Sequence, residues 1–120
     1  MKRVLTFLAI LLALVAVSAC NYDVNLSVDA SAELTYSNGD LVRVAPVTFE
    51  SIHRKNLSDS DLENIFIELT RNVNPDFSTA ILYLEIFDEI SGKHLRDETY
   101  GVVYNVHTGH YDFADMNVIY

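Results

Sequence analysis

Two histidines are the residues best placed to do chemistry. His107 and His110 flank Thr108-Gly109 in the stretch NVHTGHYD. If Thr108 and Gly109 make a two-residue hairpin turn, the imidazoles stand on one face about 5 Å apart. Asn105 and Asp112 then share that face, and nitrogen and oxygen donors of this kind suit zinc. A simpler account is a hairpin whose wet face carries these four polar residues while Tyr104, Val106, Tyr111 and Phe113 turn inward. Two histidines and Asp112, without a definite further ligand, form an incomplete metal pattern. His53 and His94 fall in polar loops and add no ligand set.

Carboxylates are more numerous and less informative. The 120 residues hold 17 acidic side chains against eight basic ones. General acid–base catalysis needs two carboxyls in unlike environments, about 5 to 9 Å apart in glycoside hydrolases. Acids spread over turns and wet faces single out no such pair. The run SDSDLE lacks the glycine and the later glutamate of a calcium-binding loop, and the start of a helix accounts for its acids. G-x-S-x-G, G-x-G-x-x-G and the phosphate-cradling P-loop are all absent. Nothing in these patterns argues for an enzyme.

Aromatic residues complete the chemical inventory: seven tyrosines, six phenylalanines and no tryptophan. Tyr83 and Phe87, beside Glu85 and Glu89, are candidates for a recognition surface toward a protein or a glycan. Ile67 is a third candidate contact residue, because it lies off the apolar stripe of its helix. Packing into the core is the competing account of the aromatics, and ordinary surface scatter that of Ile67.

The elements that must position these residues are legible in the spacing. Val24, Leu26, Val28, Ala30, Ala32, Leu34 and Tyr36 recur at every second position, the mark of a strand with one buried face. Asn38-Gly39 suits a type I′ hairpin turn. The return strand, about Leu41 to Ile52, contains Pro46, which implies an edge position or a bulge. A helix follows, with Ser58 and Asp61 as a capping pair and Leu57 and Leu62 at the staple positions. Its stripe is Leu62, Ile65, Phe66, Leu69 and Val73, and Pro75 limits its length. Three strand candidates complete the chain: Ala80 to Ile90, Leu95 to Val106, and the stretch after His110. The expected fold is α+β, an antiparallel sheet with one helix packed on a face, in the order β-β-α-β-β-β.

The N-terminus has a different character. Lys2 and Arg3 precede Val4 to Val17, fourteen residues of which only Thr6 is polar, and then come Ser18, Ala19 and the only cysteine, Cys20. This apolar run is too short for a membrane-spanning helix, which needs about 20 residues, and has the length of a signal-peptide core. Val17-Ser18-Ala19-Cys20 resembles the lipobox of bacterial lipoproteins. The resemblance covers about the first 20 residues and implies cleavage before Cys20, a diacylglyceryl thioether on its sulfur and N-acylation of its new amino group. It divides the chain into a signal peptide (1–19), a lipidated tether (20–23) and one domain (24–120). Asn21, rather than aspartate, favours the outer membrane if the cell is Gram-negative.

Processing removes Lys2 and Arg3, leaving six basic and 17 acidic side chains. So acidic a module argues against nucleic acid as a partner and against electrostatic docking of the whole domain on anionic lipid, which leaves membrane attachment to the lipid. With its sulfur in a thioether, Cys20 leaves no thiol for a disulfide, a metal or catalysis. No cofactor is expected beyond the covalent lipid. The expected function is a non-enzymatic binding or assembly module, held to the cell envelope by its lipid and touching an envelope protein or glycan. The alternatives are a metal-binding protein or metal-dependent envelope enzyme using His107 and His110, and a purely structural spacer.

Overall fold

The alternation that begins at Val24 becomes an interior strand of the sheet. In the computed structural model, which describes residues 24–116, strand β1 spans Asn25–Tyr36. Leu26, Val28, Ala30, Ala32 and Leu34 are buried, while Ser27, Asp29, Ser31, Glu33 and Thr35 keep partial contact with solvent. Strand β2 (Leu41–His53) folds back along one edge of β1, and β3 (Phe77–Asp88) pairs along the other. Strands β4 (His94–Asn105) and β5 (His110–Asp115) continue from β3 as a meander. Every pairing is antiparallel and the sheet order is β2-β1-β3-β4-β5.

These elements correct the expected α+β class. Their order is roughly the expected one, but the strands run 12, 13, 12, 12 and 6 residues against a single helix, α1 (Asp59–Thr70), of 12. The protein is therefore largely β, with the helix inserted between β2 and β3. The physical cause is strand length. Four of the strands are about twice the usual five to six residues, whereas the helix stops short of Pro75.

Local chemistry explains the ends of α1. The Ser58 hydroxyl accepts the Asp61 N–H at 3.2 Å, and the Asp61 carboxylate accepts the Ser58 N–H at 2.9 Å, which closes a capping box. Leu62, Ile65, Phe66 and Leu69 face the sheet and are buried, and Val73 packs beside them. Phe66 is the hub. It is fully buried, and its ring meets Phe77 at 5.9 Å, Tyr111 at 5.1 Å and Phe113 at 6.1 Å, each edge-on. Edge-to-face packing places the positive rim of one ring against the negative face of the next. The helix thereby ties β3 to β5.

Two turns differ from expectation in an instructive way. The β1–β2 connection is not a type I′ turn, because Gly39 alone has positive φ (91°) and Asn38 does not. Tyr36 and Asp40 close a three-residue loop, and the Asn38 side chain instead accepts the Asp40 N–H at 2.9 Å. An asparagine that bonds its own backbone two residues on needs no left-handed conformation. Pro46 behaves as expected: β2 is an edge strand, and Ala45 and Pro46 together oppose Ser31 where the register shifts. A second shift sets Glu50 and Ser51 against Ser27, and Ser51 takes φ of 63° to make it.

The core makes a direct prediction. Phe66→Ala should cost about 3 to 5 kcal/mol, because it removes the ring that joins helix to sheet and leaves a cavity. Ile67→Ala, one residue along but 44% exposed, should stay within about 0.5 kcal/mol. Urea denaturation of both variants measures the contrast.

Candidate binding face

One helix covers one face of the sheet, and no element among the described residues covers the other, which is bare in that sense. The pairing of β1 with β3 and of β3 with β4 sets which residues meet there. Ser27 lies opposite Phe87, Asp29 opposite Glu85, Ser31 opposite Tyr83 and Glu33 opposite Ile81. On the next strand Asp97 faces Glu85, Thr99 faces Tyr83 and Gly101 faces Ile81. Residues directly opposite on adjacent strands stand about 5 Å apart at Cβ. Asp29, Glu85 and Asp97 are therefore three carboxylates in register across three strands.

Like charges in that position repel, and the fold compensates only at the ends of the row. The Thr48 hydroxyl donates to Asp29 Oδ1 at 2.7 Å. His94 Nε2 lies 2.6 Å from Asp97 Oδ1. Glu85, in the middle, has no ion pair or side-chain hydrogen bond among the described residues. The row sits between two less polar zones. On one side the Phe87 ring packs edge-on against His94 at 5.3 Å. On the other, Tyr83 is 36% exposed and directs its hydroxyl to Glu33 Oε2 at 3.4 Å, while Arg43 bridges to the same carboxylate at 3.2 Å. Beyond Tyr83 lies a shallow apolar hollow of Ile81, Gly101, Val103, Ala114 and Met116. Gly101 makes its floor: a Cβ there would meet Met116 Sδ at 3.6 Å.

The candidate contact residues thus separate. Tyr83 and Phe87 share the bare face with the acidic row. Ile67 is exposed on α1, in the layer that covers the opposite face of the sheet, and cannot join them in one surface.

The histidine hairpin also opens differently. Asn105 pairs with His110 and Tyr104 with Tyr111, so the connection is a four-residue loop, Val106 to Gly109, rather than Thr108-Gly109 alone. Val106 is out in that loop and exposed instead of sharing the inner face with Tyr111 and Phe113. His107 lies in the loop as well, its N–H bonded to Asn105 Oδ1 at 2.9 Å. His110 turns to the helix, with Nδ1 3.0 Å from Glu63 Oε1. Asp112 accepts from Asn105 Nδ2 at 3.2 Å. Among the described residues no three histidine, cysteine, aspartate or glutamate side chains are grouped to hold a metal. Cys20 lies outside the described residues.

Sequence reasoning missed Glu63. It read as one more acid near a helix start, yet its carboxylate bonds His110 and also accepts the Tyr111 N–H at 3.2 Å. The side chain thus closes part of the outer edge of β5, where unpaired backbone groups invite another strand. The hydrogen bond from His110 holds the Glu63 carboxyl below its ordinary 4.5, and the same bond raises His110 above its ordinary 6.5. No spacing rule links residues 47 apart in sequence.

Family models, curated proteins and solved structures were all compared with this chain, and none matches.

The raised His110 and the lowered Glu63 define a pH window. His110 stabilises fully below 6.5 and loses that contribution as pH rises through its folded value. Glu63 stabilises fully above 4.5 and loses its contribution as pH falls through its own. The stability difference between wild type and His110→Gln should therefore be largest between pH 4.5 and 6.5 and should shrink toward pH 9, as read by urea melts across pH. The acidic row predicts an opposite kind of result. Glu85→Gln should stabilise the domain by about 0.2 to 1 kcal/mol at low salt by relieving like-charge repulsion. The gain should fade in high salt as screening takes over.

Proposed function

We propose that this chain is a lipid-anchored lipoprotein of the bacterial cell envelope and acts as a non-enzymatic binding module. The bare sheet face meets an envelope protein or glycan close to the membrane. One observation carries the binding part of this reading: Glu85, with Asp29 and Asp97 in register beside it, is left uncompensated between Tyr83 and Phe87 on a solvent-facing surface. A surface that served only to dissolve the domain would gain stability from mixed signs at these positions. Carboxylates alternating with aromatic rings suit a partner that brings cationic groups or sugar hydroxyls.

The anchor part rests on the lipobox-like Val17-Ser18-Ala19-Cys20, and on how soon structure follows it. Strand β1 begins at Asn25, five residues beyond Cys20. So short a tether reaches about 17 Å when fully extended. Two or three acyl chains on Cys20 hold such a domain stably at a bilayer, where one chain alone would not. Among the described residues no helix is long and apolar enough to cross a membrane. His110 is engaged with Glu63, and among the described residues no three histidine, cysteine, aspartate or glutamate side chains are grouped to hold a metal.

A photo-reactive amino acid at Tyr83, with the same group at Ile67 as control, tests the reading in intact cells. We expect a discrete adduct from position 83 and none from position 67, and a Cys20→Ser chain that lacks lipid by mass and loses the adduct. Equal patterns from both positions, or mature wild-type protein without lipid on Cys20, would overturn it.

A further inference from the structure

The end of the sheet at which β1 begins gathers most of the basic side chains of the described residues. Asn25 pairs with His53, and its C=O accepts the Glu89 N–H at 3.2 Å. Leu26 lies opposite Asp88 and Phe87 opposite His94. Arg96 donates across to the Lys55 C=O at 3.2 Å. Two loops, 54–58 and 89–93, therefore flank the point where the chain from Cys20 enters the fold.

From residue 24 onward the basic residues are Arg43, Arg54, Lys55, Arg71, Lys93 and Arg96, and four of these six stand in or beside those two loops. Arg54 and Arg96 are engaged with Asp61 and Glu98. Lys55 and Lys93 have no ion-pair partner among the described residues. Of the acids at this end, Asp88, Glu89 and Asp97 are hydrogen-bonded within the fold, whereas Glu50, which lies beside Asp88 and Glu89, has no such partner among the described residues. Asp88 accepts the Ile90 N–H at 3.0 Å, Glu89 accepts the Ser51 hydroxyl at 2.8 Å, and Asp97 holds His94. At the tip of the 89–93 turn stands Ile90, 86% exposed, the most exposed large apolar residue among those described. The turn itself is well built: Asp88 N–H bonds the Lys93 C=O at 2.9 Å and Gly92 N–H the Asp88 C=O at 2.7 Å.

We propose that the 89–93 turn, with Ile90 at its tip and Lys93 and Lys55 beside it, makes a second, non-covalent contact with the phospholipid surface to which Cys20 is tethered. The inference rests on the lipid-anchored reading above and adds an orientation to it. The tether brings this end of the sheet within about 17 Å of the lipid, whereas the far end, with the Asn38-Gly39 loop, stands about 40 Å away along β1. An isoleucine settles at the headgroup–acyl boundary, and lysine stems reach phosphate oxygens from there. A contact too weak to bind a free domain suffices here, because the tether raises its effective concentration. Laid flat instead, the domain would press Asp29, Glu85 and Asp97 onto anionic lipid with no lysine beside them. Standing on the turn, it keeps the acidic face in solvent and open to a partner.

The test uses the full lipidated protein in vesicles of phosphatidylethanolamine and phosphatidylglycerol. A nitroxide is placed at Ile90→Cys or, at the opposite end, at the exposed Ser37→Cys. Mass spectrometry first establishes lipid on Cys20. The expected result is a several-fold higher ratio of oxygen to nickel-chelate collisions at position 90 than at 37, and a fall at position 90 when Lys55 and Lys93 are both changed to Glu. Water-like ratios at both positions in a chain that carries its lipid would overturn this contact alone. A chain without lipid on Cys20 would overturn the anchor and the contact together.

Discussion

The structure turns on one constraint: there are two sheet faces and one short helix. A five-stranded sheet, four of whose strands run about twelve residues, offers far more surface than a helix of 12 residues, about 18 Å long, can cover. The helix is therefore placed by its largest side chain. Phe66 drops among Phe77, Tyr111 and Phe113, and Leu62, Ile65 and Leu69 are buried with it in the core on the inner face of the sheet. Every buried apolar side chain among the described residues lies on that side. The other side is left to solvent and is free to carry charge.

That division separates stability from recognition. Buried polar side chains are absent from the described core, so the inner face demands nothing of the outer one. The outer face can hold Asp29, Glu85 and Asp97 in register because the core offsets a repulsion of a few tenths of a kcal/mol per pair. The same logic applies at the edges. Glu63 reaches from α1 to the outer edge of β5, while Pro46 and the two bulges interrupt the outer edge of β2. Both edges of the sheet are thus made poorer templates for another strand. What remains available for contact is the bare face and the two ends.

Much of the fold was legible because its signals are local. The alternation of Leu26 to Leu34 became the buried side of β1, and the Ser58–Asp61 capping box starts the helix at Asp59. Pro46 marked an edge strand with a bulge. The fold class was misjudged because a propensity reading locates elements better than it measures them, and strand length decides whether a domain is α+β or largely β. The candidate sites were less legible. His110 bonds Glu63 on the helix, and the loop that carries His107 is two residues longer than the assumed turn. Ile67 was grouped with Tyr83 although a whole sheet separates them.

By itself the sequence determined the period-two core of β1, the helix and its cap, the acidic balance and the lipobox-like junction at Cys20. Each of these depends on residues within a few positions of one another, where backbone geometry translates spacing directly into placement. Tertiary structure alone decided that β1 pairs with β3, that Glu63 meets His110, and that Asp29, Glu85 and Asp97 align. The reason is register: a one-residue slip between two strands moves every side chain to the other face, and nothing local in either strand sets that choice. It is set by which apolar residues must reach the same core as Phe66.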